Sequence, residues 1–119
     1  MSLTPLSALS PVDGRYASRC AELRELFSES GLIRARVRVE IAWLHALAGA
    51  TGLPEMQGLT AADLAAADQV AANFGARDAA EVKAIERETN HDVKAVEYFI
   101  KRRLETQPGW RSRLEFVHF

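Results

Sequence analysis

The stretch LIRARVRVEIAWLHALAG at residues 32–49 decides the fold class of this chain. Its first half alternates apolar and charged residues, as a half-buried strand does. The apolar run then continues without a turn signal to Ala48, which is far beyond the length of an ordinary strand. One helical face carries Ile33, Val37, Ile41, Leu44 and Ala48, and a second carries Leu32, Val39, Trp43 and Leu47. The stretch therefore predicts a long helix that is covered on two sides, with the Trp43 face in a core or a subunit interface.

The residues before this stretch predict an extended opening and one short helix. Two prolines and an Asp-Gly pair restrict the backbone over residues 1–14, which indicates an extended, turning segment. Apolar residues then recur at helical spacing from Cys20 to Phe27, and residues 28–31 interrupt them. We therefore expect a short helix that begins after Tyr16.

Capping signals predict two further helices in the middle of the chain. Thr60 with Asp63 three residues later resembles a capping box, which opens an alanine-rich helix that stops at Gly75. Asp78 with Glu81 repeats the pattern and opens a helix that runs to about position 88. The Thr-Asn pair that follows suits helix caps better than helix interiors, so we expect a break there.

The last predicted helix follows that break, and a Pro-Gly pair ends it. Its buried stripe consists of Val93, Val96, Ile100 and Leu104. We expect Glu97 and Lys101 to pair one turn apart on the exposed side of this helix. The basic run at residues 101–103 is typical of a solvated helix end, where cations favour the helix dipole. The whole pattern predicts an all-α fold, with an extended amino-terminal segment followed by about five helices.

Residues 110–119 close the chain with an aromatic and apolar stretch, although natural termini are usually polar. We expect that the chain is a fragment of a longer protein and that this tail is buried by residues beyond position 119. The expected organisation is a helical domain over residues 1–109, with residues 110–119 starting the connection to a missing domain.

Charge and composition exclude several classes of partner. The 15 Lys and Arg nearly cancel the 16 Asp and Glu, so no global field would attract nucleic acid or an anionic membrane. No stretch reaches the ~20 apolar residues that cross a bilayer. The opening lacks the features of a secretory signal, and the single Cys20 fits a reducing compartment. We expect a cytoplasmic protein with no nucleic acid or membrane partner.

The pair Arg15-Tyr16 follows a glycine turn at the predicted start of a helix. An arginine fork and a phenol hydroxyl, together with free amides at a helix start, favour a phosphate group. The alternative is a surface arginine beside a core tyrosine. The pattern leaves both interpretations open.

The triplet Asn90-His91-Asp92 places an amide, an imidazole and a carboxylate at the predicted start of the last helix. Such a triplet can bind a sugar or a base through hydrogen bonds. The alternative is a capping turn, in which Asn90 or Asp92 bonds backbone amides and His91 is solvated. His45 and His118 make no recognised metal spacing with His91, so we expect no metal and no cofactor.

Three segments together resemble the amino-terminal region of the bacterial adenylosuccinate lyase family. These are SPVDGRY at residues 10–16, IERETNHDVKAVEYFIK at 85–101 and LEFVHF at 114–119. The resemblance spans nearly the whole chain in order and approximate spacing, and residues 50–80 are its least distinctive part. It implies membership of the fumarase and aspartase superfamily of all-helical homotetramers, so the missing domain would be the central helical bundle.

The resemblance also implies a reaction and a set of site residues. The family eliminates fumarate from two purine-pathway nucleotides, adenylosuccinate and the succinylated aminoimidazole carboxamide ribotide (SAICAR). By the family pattern, Arg15 and Tyr16 bind the phosphate end of the nucleotide. Asn90, His91 and Asp92 line its ribose or base end.

The family's catalytic acid and base are expected outside this chain. The acid is a histidine and the base is a serine on a mobile signature loop, and both lie beyond residue 119. We therefore expect no catalytic residue in this fragment and no lyase activity from the fragment alone.

Two alternatives remain open at this point. The first is another lyase of the superfamily, such as one acting on argininosuccinate. The second is a non-catalytic helical assembly module.

Overall fold

The computed structural model describes residues 3–118, and every regular element in that part of the chain is helical. The α-helices are α1 Arg24–Phe27, α2 Glu29–Gly49, α3 Ala61–Ala72, α4 Ala76–Thr89, α5 Asp92–Leu104 and α6 Pro108–Arg111. The 3₁₀ helices are Ala17–Leu23, Pro54–Met56 and Leu114–Phe116. The prediction of an all-α fold is confirmed. Among these helices, none is both long and apolar enough to cross a membrane.

The chain divides into two compact units, residues 1–32 and residues 33–119. In the first unit the predicted short helix is present, as the 3₁₀ helix Ala17–Leu23 followed by α1. Neither helix contains a buried residue. Large apolar side chains such as Leu6, Leu26 and Phe27 are exposed. This unit therefore has turns and helices but little core of its own.

Helix α2 begins earlier than the sequence predicts, because only Ser28 breaks the chain. The Ser28 backbone is extended, and its Oγ accepts a hydrogen bond from Gly31 N at 3.1 Å, which caps a helix starting at Glu29. Gly31 thus lies inside the helix and not in an interruption. A Cβ at Gly31 would lie 2.6 Å from Glu25 O and 2.8 Å from Leu26 O, so this close backbone approach requires glycine.

The second unit contains the hydrophobic core. The predicted inner face of α2 is buried at Ile33, Val37, Ile41 and Leu44, and the predicted stripe of α5 is buried at Val96, Ile100 and Leu104. Phe74 and Phe99 meet edge to face, with ring centroids 5.6 Å apart. The two apolar stripes read from the sequence therefore build one core.

The second apolar face of α2 is not covered as predicted. Val39 is 62% exposed and Trp43 is 50% exposed, while Leu47 is only partly buried. The described residues of the second unit bury the Ile33 face and leave this one open.

The capping box at the start of α3 is confirmed, and it extends into tertiary structure. Thr60 Oγ1 accepts from Asp63 N at 3.1 Å, and Asp63 Oδ2 accepts from Thr60 N at 2.8 Å. Asp63 Oδ1 also accepts from Gln107 Nε2 at 2.8 Å and Gly109 N at 3.1 Å, and Trp110 Nε1 donates to Asp63 O at 2.7 Å. These bonds, with that from the Gln107 amide first, lower the pKa of Asp63 from its ordinary 3.8 to about 2. One carboxylate therefore joins α3 to the start of α6.

The predicted boundary between α3 and α4 needs two corrections. Helix α3 ends at Ala72, and Gly75 belongs to the start of α4. The cap residue of α4 is Gly75, whose N donates to the side chain of Asp78, at Oδ2, over 2.8 Å. The expected box of Asp78 with Glu81 is therefore wrong by one turn, since Asp78 is the third residue of the helix and not its cap.

Two charged residues of α5 differ from the prediction. Glu97 is buried, at 3% exposure, with Lys94 Nζ 2.8 Å from its Oε2, so it is not on the exposed side. Arg103 is more than a solvated cation. Its guanidinium lies 2.6 Å from Glu81 Oε2 and 3.0 Å from Asp78 Oδ1, and stacks 4.6 Å from the centroid of a phenylalanine ring. Arg103 therefore ties α5 to α4.

The aromatic tail is partly buried by this chain itself. Trp110 and Val117 are fully buried in the core of the second unit, and Leu114 and Phe116 pack against that core. The expectation that missing residues bury the tail is therefore wrong for Trp110 and Val117. Phe119 lies outside the described residues, and the division into domains at residue 109 stays a prediction.

Candidate functional site

The junction between α4 and α5 is the break that the sequence predicts. Asn90 adopts the left-handed conformation, with φ 52° and ψ 35°, and its N donates to Glu86 O at 2.7 Å. Asparagine is one of the few non-glycine residues that tolerate this conformation. Asn90 thus ends α4 through its backbone and turns the chain into α5.

His91 is itself the cap of α5. Its ring Nδ1 accepts from Lys94 N at 3.1 Å, which satisfies a free amide of the first turn. Thr89 holds the residue from the other side, since its hydroxyl donates to His91 O at 3.1 Å and accepts from His91 N at 3.3 Å. The expected capping turn is therefore confirmed for Asp92, which accepts from Val93 N, and for the exposed His91, but the ring of His91 also supplies a capping atom. Its Nε2 remains for other chemistry.

Asp92 is held by its own helix and by α2. Its Oδ1 accepts from Val93 N at 2.9 Å, and its Oδ2 accepts from Arg36 Nη1 at 2.9 Å. The bond from the Val93 amide, and then the Arg36 guanidinium, hold the pKa of Asp92 below its ordinary value. Asp92 is therefore an anion at neutral pH, placed at the amino end of α5 where the helix dipole favours it.

A cleft of about 500 Å³ lies beside this junction. Its lining residues are Thr89, His91, Val93, Lys94, Glu97, Tyr98 and His118. Of the predicted triplet, only His91 lines the cleft. Asn90 and Asp92 instead shape and charge the turn that presents the imidazole.

His118 is a lining residue that the sequence analysis missed. Its Nδ1 lies 3.2 Å from Glu97 Oε1, and its backbone N donates to Glu40 Oε1 at 2.9 Å. Both glutamates are almost fully buried, at 1% exposure for Glu40 and 3% for Glu97. No local signal links these three positions, because their proximity depends on how the helices pack.

The two buried glutamates interact electrostatically inside the second unit. Burial raises the pKa of Glu40, the hydrogen bond from His118 N lowers it, and the nearby Glu97 charge raises it further. The bond to Glu97 raises the pKa of Lys94. The wall of the cleft therefore carries the Lys94–Glu97 ion pair.

Arg15 and Tyr16 lie in the first unit, just before the 3₁₀ helix Ala17–Leu23. The Arg15 guanidinium stacks 4.9 Å from the centroid of the Tyr16 ring, and Tyr16 N donates to Pro11 O at 2.9 Å. Tyr16 is 39% exposed, so it is not the core tyrosine of the alternative interpretation. A Cβ at Gly14 would lie 2.8 Å from Pro5 O, so glycine allows the turn that precedes the pair. A common pocket for this pair and the triplet stays a prediction.

Among the described residues, no group of three or more His, Cys, Asp or Glu is arranged to hold a metal ion. The candidate site therefore consists of hydrogen-bonding and charged side chains. Such groups can bind and orient a polar organic ligand.

Comparison with known proteins identifies the relatives of this chain. The profile of a family described as lyase matches residues 14–119. Adenylosuccinate lyase of Escherichia coli (strain K12) is 46% identical over 119 residues, which is 100% of this chain and 26% of the relative. Adenylosuccinate lyases of Vibrio cholerae and Haemophilus influenzae are 48% and 46% identical over the same shares. The chain spans about a quarter of the length of these curated relatives. The chain therefore belongs to the lyase family, and its similarity to bacterial adenylosuccinate lyases over its whole length confirms the resemblance seen in the sequence.

Proposed function

We propose that this chain is part of a cytoplasmic, homotetrameric adenylosuccinate lyase of purine biosynthesis. The complete enzyme would eliminate fumarate from adenylosuccinate, giving AMP, and from SAICAR, giving the aminoimidazole carboxamide ribotide. The observation that carries the proposal is the 46% identity over all 119 residues to a protein named for this activity.

The reaction sets what the protein must supply. A base removes the proton beside a carboxylate, the C–N bond breaks as the C=C bond of fumarate forms, and the departing nitrogen receives a proton from an acid. Charge that develops on the carboxylate side must be stabilised by fixed donors. We assign no residue of this chain to the acid or the base.

The proposed role of this chain is to bind the nucleotide. Arg15 and Tyr16 would bind its phosphate, since they are exposed and a guanidinium forms paired hydrogen bonds with phosphate oxygens. His91 would donate from Nε2 to the ribose or base, while Asn90 and Asp92 complete that end of the site. The ligand is a purine nucleotide, and the proposed chemistry requires no cofactor.

The test is fumarate release by the protein carried to the length of its relatives. We expect turnover of adenylosuccinate and none of argininosuccinate, and the 119-residue chain alone should release no fumarate. Turnover of argininosuccinate alone would reassign the enzyme within the superfamily. A full-length protein that acts on neither substrate would favour the assembly module.

A further inference from the structure

We propose that the cleft beside α5 presents two histidines in opposite neutral tautomers, each fixed by a contact within the protein. His91 carries its proton on Nε2, and His118 carries its proton on Nδ1. The cleft thereby offers one imidazole donor and one imidazole acceptor to the same ligand. The choice of a nucleotide as that ligand rests on the proposed function, whereas the tautomers follow from the protein's own contacts.

The first tautomer follows from the cap of α5. A neutral imidazole has one N–H donor and one acceptor nitrogen. Nδ1 of His91 accepts a hydrogen bond from Lys94 N at 3.1 Å, so it must hold the lone pair. The proton of neutral His91 is therefore on Nε2. The backbone itself imposes this tautomer, because an amide N–H can only donate.

The second tautomer follows from a buried carboxylate. Glu97 Oε1 lies 3.2 Å from Nδ1 of His118, and Lys94 Nζ lies 2.8 Å from Oε2 of the same group. Lys94 and Glu97 thus form an ion pair, and this contact raises the pKa of Lys94. An anionic oxygen repels a lone pair and attracts an N–H, so Nδ1 of His118 carries the proton and Nε2 holds the lone pair.

Two helices hold His118 in this position. Glu40 of α2 accepts from its backbone N at 2.9 Å, while Glu97 of α5 contacts its ring. The His118 side chain is 67% exposed, so packing alone does not fix the ring. Glu97 is therefore a positioning residue, because it determines which nitrogen of His118 a ligand meets.

The arrangement selects a ligand by hydrogen-bond polarity. Within residues 3–118, neither Nε2 atom has a protein partner, so the described part of the chain leaves both open to a ligand. The ligand must offer an acceptor to His91 and an O–H or N–H to His118. A polar group with both functions, such as a hydroxyl or a carboxamide, meets this requirement.

The direct test is the tautomer of each ring in the 119-residue chain labelled with ¹⁵N-histidine. The spectra are recorded at a pH of about 8, where histidine rings are ordinarily neutral. Multiple-bond ¹H–¹⁵N correlations identify the protonated nitrogen, and substitution of each histidine assigns the signals. We expect Nε2–H at His91 and Nδ1–H at His118. Finding Nε2–H at His118, or Nδ1–H at His91, would overturn the proposal.

Glu97→Gln tests the cause. The glutamine amide can donate to Nδ1 of His118, so its proton should move to Nε2 while His91 remains unchanged. Glu105→Gln is the matched control, since it removes the same charge from an exposed position just after α5 and should change neither ring. An unchanged His118 tautomer in folded E97Q contradicts the proposed role of Glu97. If E97Q does not fold, the wild-type spectrum decides.

A second measurement separates this inference from the proposed function. In the protein at the length of its relatives, E97Q should weaken AMP binding by roughly two- to tenfold, the range for one hydrogen bond. The expected tautomers without any AMP binding would support the inference and contradict the nucleotide function. AMP binding by a protein with other tautomers would support the nucleotide function and contradict the inference.

Discussion

The capped starts of α3 and α5, both in the second unit, differ in whether their polar side chains remain available to a ligand. At the start of α3, the Asp63 carboxylate accepts from Thr60, Gln107 and Gly109, and it is 4% exposed. At the start of α5, His91 Nδ1 accepts one hydrogen bond from Lys94 N, and its Nε2 has no partner among residues 3–118. At the first junction, the polar side-chain atoms bind other groups of the protein and stabilise the fold. The second caps a helix and still has an atom for a ligand.

The difference shows how a cap and a binding residue can be the same side chain. The Asp63 carboxylate is enclosed by donors from two segments of chain, the start of α3 and the start of α6, so a ligand has no access to it. An imidazole has two distinct nitrogens, and only one is needed for the cap. The alternatives left open for the Asn90-His91-Asp92 triplet are therefore compatible, and substitutions can separate the two roles.

The largest expected effect is at the buried junction. Asp63→Ala leaves the amides of Thr60, Gln107 and Gly109 without their acceptor, and unpaired buried donors are costly. We expect a fall in Tm of about 10 °C or more, since ~1 kcal/mol corresponds to several degrees in a domain of this size. Thermal unfolding followed by circular dichroism measures it. Asp68→Ala on the same helix is the control, because Asp68 is on the surface. A D63A protein as stable as D68A would contradict the structural role.

Ionisation of the same carboxylate should make the free energy of unfolding depend on pH in the acid range. The folded state lowers the pKa of Asp63 to about 2, so its stabilisation is fully present above the unfolded value of 3.8 and lost as the pH falls towards 2. Wild type should therefore be more stable than Asp63→Asn at neutral pH, and the two should converge as the pH falls through this window. Urea unfolding across that range checks the prediction. A constant difference between the two proteins would show that ionisation of Asp63 is not the cause.

His91 tests the exposed junction. His91→Ala should lower turnover by the full-length protein about 100-fold, the effect of removing one fixed donor from a reacting site. It should also cost about 1 kcal/mol of stability, because α5 loses its cap. His91→Asp is the matched variant, since aspartate restores the cap without the imidazole. Restored stability with lost turnover is expected, whereas turnover in both variants would leave His91 as a cap alone.

At Arg15, in the first unit, we expect substitution to affect ligand binding much more than stability. Arg15→Ala should weaken AMP binding by about tenfold or more, as expected for a charged hydrogen bond. Its stability should stay within about 0.5 kcal/mol of wild type, as for most surface substitutions. Arg19→Ala removes the same charge from an exposed neighbour and should leave AMP affinity unchanged. Equal affinities for R15A and R19A, measured by calorimetry, would remove Arg15 from the phosphate site.

The smallest expected effect is at Asn90, where two substitutions distinguish the role of its left-handed backbone from a contact of its side chain with the nucleotide. Asn90→Ala should cost about 1 kcal/mol, because alanine resists the left-handed conformation. Asn90→Gly should be nearly neutral for stability, since glycine adopts it readily. If the amide contacts the nucleotide, N90G should still weaken AMP binding by roughly threefold. Unchanged affinity in N90G would limit Asn90 to shaping the turn.

Local patterns predicted much of the fold. The Thr60–Asp63 capping box, the break at Asn90 and the inner face of α2 are all as expected. The local errors were shifts of a few residues in helix ends, at the start of α2 and between α3 and α4. The larger errors arose where a residue's partner was distant. The sequence could not show that Glu97 is buried, and it gave no reason to connect His118 with Glu40, which lies 78 positions away.

What the sequence by itself determined is the helical class, most helix limits and the family resemblance, because spacing, caps and short motifs act within one or two turns of chain. Only the tertiary structure decided that Glu40 and Glu97 both contact His118 and that His118 joins His91 at one cleft. The physical reason is that such contacts depend on how whole helices pack, and packing is a property of the complete core and not of any single segment.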